Sequence, residues 1–565
     1  MARKVINDIK KCLNDKKSFL LEAGAGAGKT YTLIKTIEYL QNQETSNYKI
    51  LCITYTNIAK DEVLNRLKKK SCIIVNTMHE FIWGYINKYQ FDLKKEVLKL
   101  IEQEKEKLEN EIKRDEETIK NPRINTNIEK KEENILENKR KLEKYDNTNF
   151  NLVSYENYRA LYDGVISHDD VIDIFCEFLK NDLFAQLFID SFTHIFIDEY
   201  QDTNKKILLE LLGCLNKYKE NKNVVLGLFG DAMQQIYSSD STEIDYKKFD
   251  IKIISKTDNY RSCKEIINVN NVLRMDGLKQ EYKSSNINLD KIEFIYNLNR
   301  DIYLKEYNDI DIEEYTRLFL TYKEIADELG FKNVSNIFSD QYKQNVNDKL
   351  LKMEDDFIRV IIETVIVYIN NFNNNNYKDI ILRYNNKYFN KKDLEILKGK
   401  IQEIIDRNYN LKETIIKLEE LNLLNIKKIN NIVDSYKRRG KIDFINKLYD
   451  VKLDEFNVLY NQIYSKTKVQ TLHGVKGDEF DKVIVNIKEN QRWSQYNFDN
   501  FFKNGLEGKK SSINTHKLLY VACTRAKKAL IINYMATNKE EEHIQKIKDN
   551  VEKLFGENMK WREYK

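Results

Sequence analysis

Residues 19–41 constrain the fold more than any other stretch, because they join a short apolar run, a glycine-rich turn and a helical pattern. The run Phe19–Ala23 predicts a buried strand. The turn comprises Ala23, Gly24, Ala25, Gly26, Ala27, Gly28, Lys29 and Thr30. Alternating glycines let backbone N–H groups point inward around a phosphate, and the helix that follows adds its anion-favouring N-terminus. The segment therefore predicts a phosphate-binding loop in an α/β fold.

The last residues of this loop predict the chemistry of nucleotide binding. The ammonium group of Lys29 can reach the β and γ oxygens of a nucleoside triphosphate, and the hydroxyl group of Thr30 can hold Mg²⁺. Tyr31, the next residue, is counted with the nucleotide-binding residues. A glycine-rich turn with an incidental lysine is the alternative interpretation.

A second acidic site follows another apolar run. Residues 195–202 read IFIDEYQD, so two carboxylates come directly after a strand-like segment. Asp198 is expected to bind Mg²⁺ through water, and Glu199 is expected to orient and activate the attacking water. Binding alone does not require the second carboxylate, so this pair indicates hydrolysis.

Further apolar runs indicate a parallel sheet and a second α/β unit. Residues 50–54 and 224–229 are short apolar runs that end in polar residues. Residues 317–321 followed by 322–329 repeat the order of strand and helix, and strand-like runs return at 483–485 and 530–533. A Lys- and Glu-rich stretch over 93–145, broken at Pro122, predicts an inserted helical hairpin.

Composition limits the class of protein without naming its partner. The 565 residues are 41% hydrophobic and 32% charged, with a formal net charge of +5, so a local basic channel would be needed to bind nucleic acid. The seven cysteines are scattered without a C-x-x-C pair, which favours free thiols in a reducing cytoplasm over zinc or disulfides. The sequence contains no run of about 18 apolar residues, so it predicts no membrane-spanning helix.

Eight stretches in sequence order resemble the motifs of the UvrD/Rep/PcrA group of superfamily 1 helicases. They are residues 23–30 (AGAGAGKT), 54–57 (TYTN), 77–81 (TMHEF), 198–202 (DEYQD), 230–237 (GDAMQQIY), 259–262 (NYRS), 471–480 (TLHGVKGDEF) and 520–526 (YVACTRA). Together they cover most of the chain. This resemblance implies an ATP- and Mg²⁺-dependent motor that moves on single-stranded DNA in the 3′ to 5′ direction, or that unwinds a tailed duplex.

The resemblance also implies an architecture of four parts. Two RecA-like parallel-sheet motor domains, 1A and 2A, each carry a mainly helical insertion. We expect 1A over residues 1–90 and 150–251, insertion 1B over 91–149, 2A over 252–335 and 466–565, and insertion 2B over 336–465.

Residue roles follow from the resemblance, motif by motif. Gln234 would couple the γ-phosphate to DNA contacts, and Glu479 would accept a hydrogen bond from the ribose. Arg261 and Arg525, expected on the second motor domain, would reach across a cleft to the γ-phosphate. The residues implied to contact DNA, by base stacking or through the backbone, are Tyr55, Asn57, His79, Tyr237 and His473.

Departures from the family pattern leave alternatives open. No Gln precedes the phosphate-binding loop, so the preference for ATP over GTP is open, and Ser239, Asp240 and Ser241 replace the usual Trp-Arg-Gly. Translocation without efficient unwinding therefore remains an alternative, as does an ATPase subunit that regulates a nuclease. A structural ATPase with coiled-coil arms would need an LSGGQ-type signature, which the sequence lacks.

The form of residues 473–480 and the short second insertion resemble compact helicases that work beside a separate nuclease. The helicase subunit of the Gabija antiphage system is one such relative. This likeness implies an OLD/TOPRIM-type nuclease partner and a role in antiphage defence or DNA repair.

Overall fold

The chain was described from a computed structural model that defines residues 2–43, 48–67, 72–122, 127–219, 224–236, 244–284, 287–298, 310–343, 345–374, 376, 391–421, 423–465, 467–491, 495–505 and 510–564. It divides into two compact units. The first contains residues up to Arg261 together with 274–285, and the second contains 262–273 together with the rest of the chain.

The first unit is built on a six-stranded sheet in which every pair of neighbours is parallel. The strands of this unit are β1 Phe19–Ala23, β2 Ile50–Thr54, β3 Ile73–Thr77, β4 Ser154–Tyr155, β5 Val165–Ile166, β6 His194–Asp198, β7 Val225–Gly230, β8 Lys252–Lys256, β9 Asp258–Asn259 and β10 Glu281–Tyr282. The sheet order is β3-β2-β6-β7-β1-β8. Strand β1 thus lies next to the edge strand β8, with β7 on its other side.

Helices cover both faces of this sheet. They are α1 Ala2–Asn14, α2 Lys29–Gln41, α3 Asn57–Arg66, α4 Met78–Ile86, α5 Gln90–Lys120, α6 Ile128–Asp146, α7 His168–Lys180, α8 Asp182–Ser191 and α9 Lys205–Lys217. Alternate strand residues feed separate cores: Phe19 and Leu21 join one cluster and Leu20 joins the other. Helices α5 and α6 form the predicted hairpin, with Leu93, Val97 and Ile101 of α5 buried.

The second unit repeats the sheet order of the first. Its strands are β11 Lys291–Asn297, β12 Thr316–Phe319, β13 Val469–Thr471, β14 Phe480–Lys488, β15 Ala526–Met535 and β16 Lys560–Tyr564. All neighbours are parallel, in the order β13-β12-β14-β15-β11-β16. Numbered by their place within each sheet, both sheets read 3-2-4-5-1-6, which confirms two parallel-sheet motor domains.

The second unit contains the following helices, many of which lie between β12 and β13. They are α10 Lys264–Leu273, α11 Tyr322–Leu329, α12 Lys332–Gln341, α13 Val346–Leu351, α14 Asp356–Val360, α15 Val367–Asn373, α16 Lys391–Asp406, α17 Leu411–Glu420, α18 Lys427–Arg438, α19 Ile442–Tyr449, α20 Leu453–Tyr464, α21 Phe498–Asn504, α22 Lys510–Cys523 and α23 Glu541–Phe555. One π-helical turn, Ile361–Ile366, joins α14 to α15. The first helical insertion follows the third strand of its sheet, whereas the helices between β12 and β13 follow the second.

The predicted start of the second motor domain at residue 252 is wrong. Strand β8 pairs in parallel with β1, so residues 252–256 complete the first sheet. Strands β9 and β10 also pair within the first unit. The chain then enters the second unit at Ser262, returns at Arg274 and enters the second unit again after residue 285.

The structure bears on the state of the cysteines and on the predicted absence of a membrane-spanning helix. All seven cysteines are free thiols, and Cys72 is the exposed one. Within the described ranges, no helix combines the length and apolar content needed to cross a membrane.

Candidate functional site

The glycine-rich turn joins β1 to α2 at the carboxyl end of β1 in the first sheet. Gly26 and Gly28 both have φ of 76°, the left-handed region that favours glycine. The N–H of Ala27 donates to the carbonyl oxygen of Gly24 at 3.1 Å, which closes the turn, and helix α2 begins at Lys29. Thr30 lies half-buried in the first turn of that helix. The predicted strand–loop–helix is therefore present, with the geometry that a phosphate cradle requires.

Close packing explains the absence of side chains at two further positions. A Cβ atom on Gly24 would lie 2.5 Å from Cδ of Gln280, and one on Gly26 would lie 2.6 Å from Cβ of Arg261. The carbonyl oxygen of Ala25, between them, accepts hydrogen bonds from Nδ2 of Asn259 and Nε2 of Gln280, each at 3.0 Å. Asn259 and Gln280 thus hold the turn through hydrogen bonds to its backbone.

Lys29 and Glu199 form a partly buried ion pair in this structure. Nζ of Lys29 lies 3.0 Å from Oε2 of Glu199, and the lysine side chain is 10% exposed. Burial acts to lower the pKa of Lys29, but the carboxylates of Glu199, Asp231 and Asp198 raise it overall. The lysine therefore stays protonated, as a phosphate ligand must. A triphosphate would compete with Glu199 for it and free that carboxylate.

The two predicted carboxylates lie at the carboxyl end of β6. Oδ1 of buried Asp198 accepts the N–H of Glu199 at 3.1 Å. Burial and the adjacent Glu199 carboxylate raise the pKa of Asp198, which a bound cation would oppose. Glu199 has φ 50° and ψ 49°, a conformation that costs a residue with a side chain on the order of 1–3 kcal/mol. The oxygen donors of Thr30 and Asp198 are of the type that Mg²⁺ prefers.

A hydrogen-bonded path leads from Glu199 to Gln234. Nε2 of Gln201 donates to Oε2 of Glu199 at 2.6 Å, and Oε1 of Gln201 accepts the N–H of Asp231 at 3.1 Å. Oδ2 of Asp231 accepts Nε2 of Gln234 at 2.8 Å. Gln201, Asp231 and Gln234 are all buried. The first unit therefore links three of the predicted hydrolysis residues, Lys29, Glu199 and Gln234, by direct contacts.

Sequence reasoning missed several residues around the turn. Glu22 of β1 accepts the N–H of Ala232 at 2.7 Å and the hydroxyl of Tyr200 at 2.7 Å. Buried Lys256 donates to Oγ1 of Thr32 at 2.7 Å and to the carbonyl oxygen of Gly28 at 3.3 Å. Burial lowers the pKa of Lys256. A carboxylate inside an apolar strand was a usable signal for Glu22, whereas nothing local marked Lys256.

Three of the predicted DNA contacts follow neighbouring strands of the first sheet. Tyr55, 48% exposed, follows β2, and exposed Asn57 begins α3. His79 lies in the first turn of α4, after β3, with its ring centroid 4.9 Å from that of His168. Burial and the neighbouring His168 lower the pKa of His79. Tyr237 lies outside the described residues, and Tyr31, half-exposed, lies below the amine of Lys35.

Arg261 belongs to the first unit, not to the second as predicted. Its N–H donates to Oδ1 of Asn259 at 2.9 Å, and the N–H of Tyr260 donates to the carbonyl oxygen of Gly26 at 3.0 Å. These bonds tie the NYRS stretch to the glycine-rich turn, which explains its assignment to that unit.

The remaining predicted residues lie in the second unit. Buried Arg525 donates from Nε to the carbonyl oxygen of Val521 at 2.9 Å and from Nη1 to that of Asp478 at 3.0 Å. Glu479, half-exposed, pairs with Lys527 at 2.7 Å. Nε2 of His473 lies 2.7 Å from the hydroxyl of Tyr496, and burial lowers the histidine pKa. Whether these residues reach a nucleotide or DNA stays a prediction.

The fold and the turn together define a P-loop nucleoside triphosphatase with two parallel-sheet motor domains. Residues 7–253 match the family model described as the UvrD/REP helicase N-terminal domain. This part of the chain is therefore similar to the N-terminal domain of UvrD-like superfamily 1 helicases.

Three relatives carry the name of a Gabija protein or of an ATP-dependent DNA helicase. The chain is 29% identical to the Gabija protein GajB of Bacillus cereus (strain HuB5-5), over 98% of this chain and 97% of that protein. It is 25% identical to the ATP-dependent DNA helicase Rep of Buchnera aphidicola subsp. Acyrthosiphon pisum, over 91% of this chain and 92% of that protein. It is 25% identical to the ATP-dependent DNA helicase PcrA of Staphylococcus epidermidis, over 63% and 52% respectively.

Proposed function

We propose that this protein is an ATP-driven DNA helicase or translocase that moves 3′ to 5′ on single-stranded DNA. The observation that carries the proposal is the hydrogen-bonded path from Lys29 through Glu199 and Gln201 to Asp231 and Gln234. Such a path connects Lys29, the residue proposed to bind the triphosphate, to Gln234, the residue proposed to sense the γ-phosphate. The match of residues 7–253 to the UvrD/REP helicase N-terminal domain supports the same assignment.

In this proposal each residue of the first unit has one task. Lys29 leaves Glu199 for the phosphate oxygens of ATP, and backbone N–H groups of the turn hold the α and β phosphates. Thr30 and Asp198 would hold Mg²⁺, and the ion would supply charge stabilisation for the phosphoryl group. Glu199, released from Lys29, accepts a proton from the attacking water. Gln234 follows the presence of the γ-phosphate.

Residues of the second unit would complete the reaction. We propose that Arg525, together with Arg261 of the first unit, stabilises the charge that develops on the γ-phosphate. Glu479 would accept a hydrogen bond from the ribose. Opening and closing around ATP would then advance the chain along DNA, with Tyr55 and Tyr237 stacking on bases and Asn57, His79 and His473 holding the backbone.

Strand displacement on duplexes with a single 3′ or 5′ tail tests this function. We expect displacement from the 3′ tail only, abolished in Lys29→Ala and Glu199→Gln, because one loses the phosphate grip and the other the base. Glu199→Gln should still bind ATP. Glu177→Gln, on the exposed face of α7, is the matched control and should behave as wild type. Displacement by the Glu199→Gln variant at the wild-type rate would contradict the assigned role of Glu199.

A second candidate is a DNA-stimulated ATPase that regulates a separate nuclease without processive unwinding. Ser239, Asp240 and Ser241 stand where relatives place an aromatic and a basic residue, and the likeness to a Gabija protein extends over 98% of the chain. We propose an OLD/TOPRIM-type nuclease as the partner, in antiphage defence in the cytoplasm. DNA-stimulated ATP hydrolysis without strand displacement, together with a change in the activity of the added nuclease, would favour this candidate.

A further inference from the structure

Three carboxyl groups surround one guanidinium beside the glycine-rich turn. Carboxylate oxygens of Glu22, Asp231 and Asp276 lie within 4.8 Å of one another. Nη2 of Arg274 lies 3.0 Å from Oδ1 of Asp231, Nη1 donates to Oδ2 of Asp231 at 3.3 Å, and Nε donates to Oδ1 of Asp276 at 3.0 Å. The Arg274 side chain is 1% exposed. A planar guanidinium suits such two-sided contact with carboxylates, and here it offsets part of their negative charge.

Asp231 is held by Arg274 and by Gln234 at the same time. Nε2 of Gln234 donates at 2.8 Å to Oδ2 of Asp231, the oxygen that also accepts Nη1 of Arg274. Oδ1 of Asp231 accepts the N–H of Met233 at 3.2 Å. Since both oxygens of Asp231 are engaged, rotation of this carboxylate would break contacts to Arg274. The orientation of the Gln234 amide therefore depends on Arg274.

Arg274 also lies next to the phosphate-binding turn. Its Nη1 would be 2.8 Å from a Cβ on Gly24, so the guanidinium fills the space that this glycine leaves. Gln280, six residues further on, donates to the carbonyl oxygen of Ala25. Arg274 is, moreover, the first residue of the segment that returns to the first unit, directly after Leu273, the end of α10 in the second unit.

We propose that Arg274 is a positioning residue for ATP hydrolysis, which fixes Asp231 so that Gln234 faces the γ-phosphate. The inference rests on the proposed ATPase function and deepens the same site. Arg274 touches neither substrate nor metal in this scheme. It acts through Asp231 and Gln234, so its effect must appear in turnover more than in ATP binding.

The test compares Arg274→Lys, Gln234→Ala and the double variant by DNA-stimulated ATP hydrolysis of the full chain. Lysine keeps the charge but loses the planar fork. We expect kcat to fall about tenfold, the effect of losing one hydrogen bond to a charged group. The KM for ATP should stay within about twofold of wild type. In the Gln234→Ala background, Arg274→Lys should lower kcat no further.

Arg159→Lys is the matched control, because Nε of Arg159 donates to both carboxylate oxygens of Asp170, at 3.0 and 2.9 Å, elsewhere in the first unit. Its kcat should equal that of wild type. If Arg274→Lys is unfolded by circular dichroism, Asp276→Asn replaces it. That variant keeps Arg274 on Asp231 but weakens its other anchor, so it should lower kcat in the same direction and also be silent in the Gln234→Ala background.

An unchanged kcat in the folded Arg274→Lys or Asp276→Asn variant overturns the inference. A loss that adds in full to that of Gln234→Ala overturns it as well, because Arg274 would then act independently of Gln234. A wild-type chain that shows no DNA-stimulated hydrolysis overturns the proposed function itself. The wild-type measurement alone therefore separates the two failures.

Discussion

Replacing Gly24 by alanine adds one methyl group at the tightest point of the phosphate-binding turn. The new Cβ would lie 2.5 Å from Cδ and 2.6 Å from Nε2 of Gln280, and 2.8 Å from Nη1 of Arg274. Each of these distances is shorter than the sum of van der Waals radii, so both side chains must move. The backbone need not change, because φ of Gly24 is not in the left-handed region.

The free-energy cost follows from the hydrogen bonds that would be given up. The amide of Gln280 is the end of a flexible side chain and can turn away, but it then loses its bond to the carbonyl oxygen of Ala25 and its bond from Asn259. A buried hydrogen bond contributes about 1 kcal/mol, and overpacking a filled site costs about 1–3 kcal/mol. We therefore expect Gly24→Ala to lower the free energy of local unfolding by about 2–3 kcal/mol.

Native-state hydrogen exchange measures this loss where it occurs. Amide hydrogens of β1 and α2 should exchange on the order of 30- to 100-fold faster, since each 1.4 kcal/mol is about a factor of ten. Gly213→Ala is the matched control, because Gly213 is exposed within α9 and no atom lies within 4 Å of its added Cβ. That change should stabilise α9 by about 0.5–1 kcal/mol.

A double variant tests whether the Gln280 side chain causes the penalty of Gly24→Ala. In a Gln280→Ala background, Gly24→Ala should cost less than about 1 kcal/mol, because only the contact with Arg274 remains. Wild-type exchange in the Gly24→Ala protein, or an equal penalty with and without the Gln280 side chain, would refute the packing argument.

Two further variants test charge and DNA contact. Burial, and then Asp231, raises the pKa of Glu22 to about 7. The folded state therefore binds this proton more tightly than the unfolded state. As the pH rises through that range, Glu22 loses the proton and the free energy of unfolding decreases. The difference in Tm between Glu22→Gln and wild type should grow in favour of the variant from about pH 5 to about pH 8, and a constant difference would contradict the assigned burial. Tyr55→Ala should weaken binding of single-stranded DNA about tenfold in a fluorescence anisotropy titration, since a stacked base contributes roughly 1–3 kcal/mol. Tyr158→Ala, at another exposed tyrosine, should leave the affinity unchanged, and equal losses in both variants would rule out a specific stack.

Much of the first sheet could be predicted because its four inner strands are buried on both faces. Short apolar runs bounded by polar residues then mark strands almost to the residue: β1 and β2 match the predicted ranges, and β6 begins one residue before its predicted range. The two carboxylates and the lysine of the turn were predictable for a related reason. Their spacing relative to a strand end is local, so the sequence contains it.

The contacts that complete the site are not local. Arg274 and Gln280 lie in a stretch without a recognisable motif, and they reach the turn only because the chain leaves the first unit for α10 and then returns. The boundary at residue 252 failed for a similar reason, since β8 has the pattern of any short strand and its pairing with β1 depends on tertiary structure. The local pattern of apolar and polar residues indicates neither the return of the chain to the first unit nor the pairing of β8 with β1.

The identical strand order of the two sheets has a consequence for stoichiometry. Strand β11 occupies in the second sheet the place that β1 occupies in the first, yet residues 298–309, which follow β11, include no glycine. Two copies of one scaffold thus supply a single loop for a triphosphate. Equilibrium titration should saturate at one ATP per polypeptide. The second half of the chain would then take part in the motor without binding a triphosphate of its own.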